Sequence, residues 1–421
     1  MDSRSPQGAV SVKPIRSLLP FVLAAALCTP AWAAKKVDLD YRVRLLPESD
    51  QAEVSLILES GKAVNSLRFN LGDKGYYSDF ETDGQGQWSQ EEDGRSGTWL
   101  PGEGKSTLRY RVKVSHPRDS GRFDARMTDK WALLRGDDLV PSARLDQAQG
   151  VELVSRLQFE LPKGWKSVET GWPRIGKNRF RIDNPARLFD RPTGWILAGE
   201  LGSRRARLGE TEVTVAAPVG EGMRRMDVLT LLTFVWPEVQ AVFPRDPAKL
   251  LVVGAGDPMW RGGLSGPNSL FMHADRPLVS ENGTSSLIHE LVHVFSGIRD
   301  TDRSDWITEG LAEYYAIELL RRAGGMSEGR YQQVRKSLGK WSRKVTSLRT
   351  EQASGPVTAR AVLLLQELDR EIRQRSEKRY SLDDVARGLM RLDKVSTKDF
   401  VGISENLIGG PSKVLNTPLL R

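Results

Sequence analysis

The sequence predicts an α+β protein: an N-terminal antiparallel β-sandwich followed by a mainly helical domain. Three observations predict it. Apolar and polar residues alternate with period two through much of 38–217, as in strands with one solvated face. Turn-rich stretches such as Asp83-Gly84-Gln85-Gly86 and Glu92-Asp93-Gly94 separate these runs. Beyond about residue 220 the apolar residues recur mostly at helical spacing.

The chain has 421 residues, enough for two cores of ordinary size. Its 62 Lys+Arg against 54 Asp+Glu give a formal net charge of +8, a mild excess that gives no reason to invoke nucleic acid. One cysteine excludes a disulfide framework and any thiolate-rich metal cage. The first 33 residues read as a secretory signal. Lys13 and Arg16 precede the apolar run 18–27, and Ala31-Trp32-Ala33 forms a small-x-small cleavage site. Cys28 lacks the small residue before it that lipidation requires. The expected product is exported, periplasmic or secreted, without a transmembrane segment after cleavage.

Within 34–217, the β-sandwich domain, strands are expected at 41–46, 54–58, 66–71, 108–114, 157–161 and 213–215. A boundary near 215–222 opens the second domain, 218–421. There a helix is expected over 226–242 with a kink at Pro237, then strands at 250–253 and 269–273 around a Gly-rich turn. Helices follow at 285–296, 305–322, 328–343, 357–373 and 381–392. No internal repeat is present.

The helix at 285–296 carries the sharpest chemical signal, His289-Glu290-x-x-His293. Residues four apart stand one turn above each other on one helix face, so both rings can reach one ion. Glu290 is rotated by about 100°, close enough to act on a water at the metal without being a ligand. A catalytic zinc needs a third protein ligand and an open fourth position. Gly297 ends this helix, a polar loop spans 298–304, and Ser304 or Asp305 is a natural N-cap for the next one. Glu309 and Glu313 share that second helix's inner face. One can bind the metal while the other accepts a hydrogen bond from a ligand histidine; spacing alone leaves both assignments open. His116 and His273 have no ligand partner at local spacing.

His289-Glu290-x-x-His293 followed by Trp306-x-x-Glu309-Gly310-x-x-x-Tyr314-Tyr315 resembles the gluzincin metallopeptidases, and most of all the bacterial glycyl aminopeptidase family. Residues 41–58 and the stretch 184–192 resemble that family's N-terminal β-domain, and 363–369 and 381–385 its helical half. The resemblance implies a thermolysin-like catalytic domain and one zinc ion per chain. It further implies Glu309 as third ligand, Glu290 as general base and a peptide or protein substrate.

The sequence departs from the family in several places. The fifteen residues between His293 and Glu309 are fewer than is typical. The segment 262–269 resembles the family's Gly-Gly-Leu-Glu-His-x-Asn-Ser substrate edge, and Gly263 and Asn268 keep their places in it as implied substrate-binding residues. Ser265 and Gly266 stand where Glu and His are expected, so no countercharge for a substrate amine is supplied there. Val357 falls where the family carries an oxyanion-stabilising tyrosine; Tyr331, Tyr380 and His273 are the candidate replacements. No counterpart of the family's C-terminal peptide-binding module is expected after the helical half. Two functions stay open: a zinc-dependent peptidase, or a degenerate relative that binds zinc or peptides without turnover. A basic run over 330–349, free of acidic residues, reads as a solvated helix face; its functional alternative is weak contact with an anionic surface.

Overall fold

The computed structural model describes residues 35–83, 85–183 and 189–421. The expected signal segment, Cys28 and 184–188 of the family-like stretch lie outside them. Among the described residues, several β-sheets and eight α-helices make up a mixed α and β fold.

The strand Lys35–Leu46 shows why the first half folds as sheet. Val37, Leu39, Tyr41, Val43 and Leu45 point inward and are buried, while their neighbours face out. It pairs antiparallel with Gln51–Leu58, which pairs with Ser106–Lys113. On its other side it runs parallel to Val151–Glu160, so this seven-stranded sheet is mixed rather than purely antiparallel as expected. Period-two alternation is identical for both directions and cannot distinguish them.

A four-stranded sheet containing Val64–Asn70 and Ser96–Leu100 shares this core through Leu67, Phe69 and Trp99. A five-stranded sheet contains Trp131–Arg135 and Trp195–Gly199, and it is covered on both faces. Ala132, Leu134, Ile196 and Ala198 face the first core; Trp131, Leu133, Trp195 and Leu197 pack with Leu251, Val253 and Phe271 of the second half.

The last sheet positions the site. Its order is Leu201–Leu208, Thr211–Pro218, Lys249–Val253, Ser269–Met272 and, at the edge, Gly263–Gly266. Its two inner contacts are parallel pairings, whereas both edge strands are antiparallel to their neighbours. Val213–Val215, which alternation alone groups with the first half, are the second strand of this sheet.

The helices are α1 (Gly136–Leu139), α2 (Arg225–Val242), α3 (Ser286–Ser296), α4 (Asp305–Arg322), α5 (Glu328–Trp341), α6 (Pro356–Arg375), α7 (Leu382–Leu389) and α8 (Thr397–Ile408). α2 to α7 match the expected spans to within a few residues at each end, whereas α1 and α8 fall outside them. α3 starts where Ser285 Oγ accepts from Ile288 N at 3.3 Å and stops at Gly297, left-handed at φ 59°. Leu287, Ile288, Leu291, Val292 and Phe295 bury its apolar face, each worth roughly 1.5–3 kcal/mol. α4 packs on α6 through Gly310, whose added Cβ would stand 2.8 Å from the Ala361 Cβ. Among the described residues, no helix is long and apolar enough to cross a membrane.

Candidate metal centre

Burial of the apolar face of α3 leaves its other face, with His289, Glu290 and His293, half-buried toward a cleft. The loop 298–304 reverses the chain and brings α4 alongside. Ser304 caps α4 in position, but its hydroxyl bonds Thr397 instead of the helix end. Thr308 Oγ1 donates to Asp300 at 3.3 Å and so ties the loop to the first turn of α4.

Glu309 and Glu313, one turn apart on α4, divide their roles by geometry. Glu309 Oε2 is 3.4 Å from His289 Nε2, and its Oε1 is 3.3 Å from His293 Nε2. The two Nε2 atoms are 3.2 Å apart. Glu313 Oε2 instead accepts from His289 Nδ1 at 3.0 Å. A carboxylate only accepts, so this contact places a proton on Nδ1 and turns Nε2 toward the other two groups. One ligand atom from each of His289, His293 and Glu309 lies within 4.8 Å of the others.

The electrostatics agree with a cation-binding centre. Burial alone would lower the His289 pKa, but its hydrogen bonds to Glu309 and Glu313 win and raise it to about 10. Burial would raise Glu309, but His289 and His293 hold it down to about 2. A metal held here would displace a proton from His289. Two imidazole nitrogens and one carboxylate are the donor set of a catalytic zinc site, with room for a further ligand.

Glu290 stands beside the triad, against the edge strand. A Cβ on Gly263 would lie 2.8 Å from Glu290 Cγ, so glycine is what lets the strand pass this close. Trp195 Nε1 donates to Leu264 O at 2.8 Å and anchors that strand. The charged cleft, about 680 Å³, is lined by Gly263, Ser265, Glu290, His289, His293 and Glu309 among others. A smaller recess of about 240 Å³ opens on the far side of His289 and Glu309.

Not every residue singled out in the sequence reaches the cleft. Asn268 sits in the hairpin turn with φ 51°, and its carbonyl accepts from Leu251 N at 3.0 Å; it does not line the cleft. Neither do Tyr331, Tyr380 or His273. Val357 lies at the start of α6 against the helical core, and Thr358 beside it lines the smaller recess. His116 stacks on Tyr76 at 4.2 Å. His273, fully buried, faces Asp257 at 3.4 Å, a partnership that local spacing does not reveal. That carboxylate is already bonded to Arg261, which keeps it down at about 2. Trp260, Arg299, Asp300 and Lys394 do line the cleft. They come from separated loops and carry no sequence pattern of their own.

The fold is similar to those of three solved structures. A crystal structure of an aminopeptidase N family protein from Idiomarina loihiensis matches with a TM-score of 0.65 and 16% identity, over 84% of this chain and 70% of that one. An M1 zinc metallopeptidase from Deinococcus radiodurans matches with a TM-score of 0.58 and 15% identity, over 92% and 94%. A mutant of the same protein gives 0.57 and 15%, over 91% and 92%. No protein-family model and no curated protein matches the sequence. The likeness is to an M1 aminopeptidase-like fold, at an identity too low to carry activity with it.

Proposed function

We propose that the chain is an exported zinc-dependent metallopeptidase, a divergent relative of the gluzincins, with a β-sandwich region ahead of a thermolysin-like catalytic region. The observation that carries this reading is the convergence of His289 Nε2, His293 Nε2 and the Glu309 carboxylate next to Glu290. These three would hold one zinc, which when bound supplies Lewis acidity toward water and a peptide carbonyl. Glu313 holds the His289 ring in its working tautomer. Glu290 takes the proton of the attacking water and delivers it to the leaving amine. The outer side of Gly263–Gly266, a free sheet edge facing the cleft, suits an extended peptide backbone. The leader at 1–33 supports export to the periplasm or beyond.

The test is zinc content and peptide hydrolysis of wild type beside Glu290→Gln. The variant should keep zinc and lose hydrolysis; turnover at the wild-type rate would sink the mechanism. A second reading, zinc or peptide binding without turnover, is favoured by Ser265 in the cleft wall and by the lack of any tyrosine among the cleft-lining residues. One zinc per chain with no cleavage across a broad peptide library would select it.

A further inference from the structure

The basic run over 330–349 takes no part in the chemistry proposed for the metal centre. α5 buries Val334 and Leu338 against the helical core. Lys336 and Lys340, four residues apart, stand almost opposite those two side chains and are exposed. Arg343 and Lys344 follow in the turn after the helix and are exposed as well. Among the described residues these four cations make no ion pair, whereas Arg335 is engaged, bonding Gln366 at 2.9 Å. The acidic residue of α5, Glu328, accepts from Gln332 at the other end of the helix, roughly 20 Å from Trp341. Trp341 stands among the cations and is 57% exposed. Every other tryptophan among the described residues is buried or half-buried. Cations at a helix C-terminus complement the helix dipole, which accounts for Lys340 and Arg343 but not for an indole left in water beside them.

We propose that the C-terminal end of α5 and the turn at 342–344 dock on an anionic phospholipid surface. Trp341 seats its indole among the headgroups, and Lys336, Lys340, Arg343 and Lys344 face the lipid phosphates. An indole has an apolar body and one polar N–H, which suits the boundary where one end is apolar and the other wet. Clustered Lys and Arg are drawn to a negative membrane surface, and each adds to the affinity. One such signal holds a protein only weakly and reversibly; an apolar anchor with a basic patch supplies two. An acidic polypeptide is the competing partner, since it matches the charge equally well. The exposed indole favours the lipid, because an acidic chain offers it no apolar layer. Docking of this kind needs no spanning helix, and none occurs among the described residues. It is independent of turnover at the metal centre.

The test is sedimentation of the protein, purified in its exported form, with vesicles of phosphatidylcholine alone or mixed equally with phosphatidylglycerol. The mixed vesicles should bind at least about tenfold more tightly. That gain should vanish in about 1 M salt, where screening acts within about 3 Å. Combining Lys336→Ser, Lys340→Ser, Arg343→Ser and Lys344→Ser should remove the gain. Combining Arg42→Ser, Arg44→Ser, Arg109→Ser and Arg111→Ser removes the same charge from exposed positions of two strands in the seven-stranded sheet and should leave it intact. Trp341→Phe should keep most of the binding but lose the tryptophan emission that brominated lipid quenches in wild type. Equal loss in both fourfold variants, quenching unchanged in Trp341→Phe, or no preference for the anionic vesicles overturns the proposal. So does binding to polyglutamate with none to vesicles, which selects the acidic polypeptide.

Discussion

Gly263 and Glu290 are packed so closely that a single methyl group on the glycine would stand 2.8 Å from the glutamate Cγ. The edge of the sheet thereby sets where the Glu290 carboxylate can be. Gly263→Ala should push that carboxylate aside while leaving His289, His293 and Glu309 untouched. Misplacement by about an ångström commonly costs on the order of 10²-fold in rate. The expected result is a kcat on a peptide substrate lowered by about that factor, with zinc content at the wild-type level by elemental analysis.

Glu313 touches the metal centre only through His289 Nδ1. Glu313→Ala should therefore weaken zinc affinity without abolishing it, by about 10- to 100-fold. Competition with a chelator of known affinity reads this directly. An unchanged affinity would show that the His289 ring is oriented by its packing alone.

Gly310 owes its place to the contact between α4 and α6. The Ala361 Cβ leaves no space for a side chain there. Gly310→Val should destabilise the fold by about 1–3 kcal/mol through overpacking. The loss appears as a lower midpoint in urea denaturation, with an unchanged slope if the two-state transition survives.

Glu318 on α4 is buried, which would raise its pKa, yet Arg321 and Arg322 bind it and hold it below the ordinary 4.5. A depressed folded-state pKa contributes stability above the unfolded value, and this contribution is lost as pH falls through the folded one. Glu318→Gln should be less stable than wild type at pH 7. The gap should narrow as pH falls below about 4. Denaturation midpoints measured across that range check the sign.

Ser265 projects into the cleft from the strand expected to carry a countercharge. Matched peptides with free and acetylated N-termini should therefore be cleaved at similar rates. Cleavage confined to free amines would show that another carboxylate of the cleft, such as Asp300, serves as the anchor.

The triad is legible in the sequence because its chemistry is local. His289 and His293 lie on one helical turn, and Glu309 on the next helix across a short loop. The stop at Gly297 is local as well, and so is expected in place. Direction within the sheets is not local: Lys35–Leu46 and Val151–Glu160 run parallel although each alternates like an antiparallel strand. The division between Glu309 and Glu313 depends on how α4 is rotated against α3, which tertiary packing sets. Trp260, Arg299 and Lys394 meet in the cleft from distant loops, where no spacing rule relates them.

The sheet containing Trp195–Gly199 belongs to two cores at once, and Trp195 also holds the carbonyl of Leu264 on the edge strand. The half bearing the metal ligands is therefore not a detachable module. Cut away from the strands before it, it would expose the apolar surface around Leu251, Val253 and Phe271 and lose the anchor of its edge strand. Inheritance of the site requires inheritance of the scaffold upstream, and shortening this protein to the half that carries His289, His293 and Glu309 would leave the proposed ligands without the strand that borders their cleft.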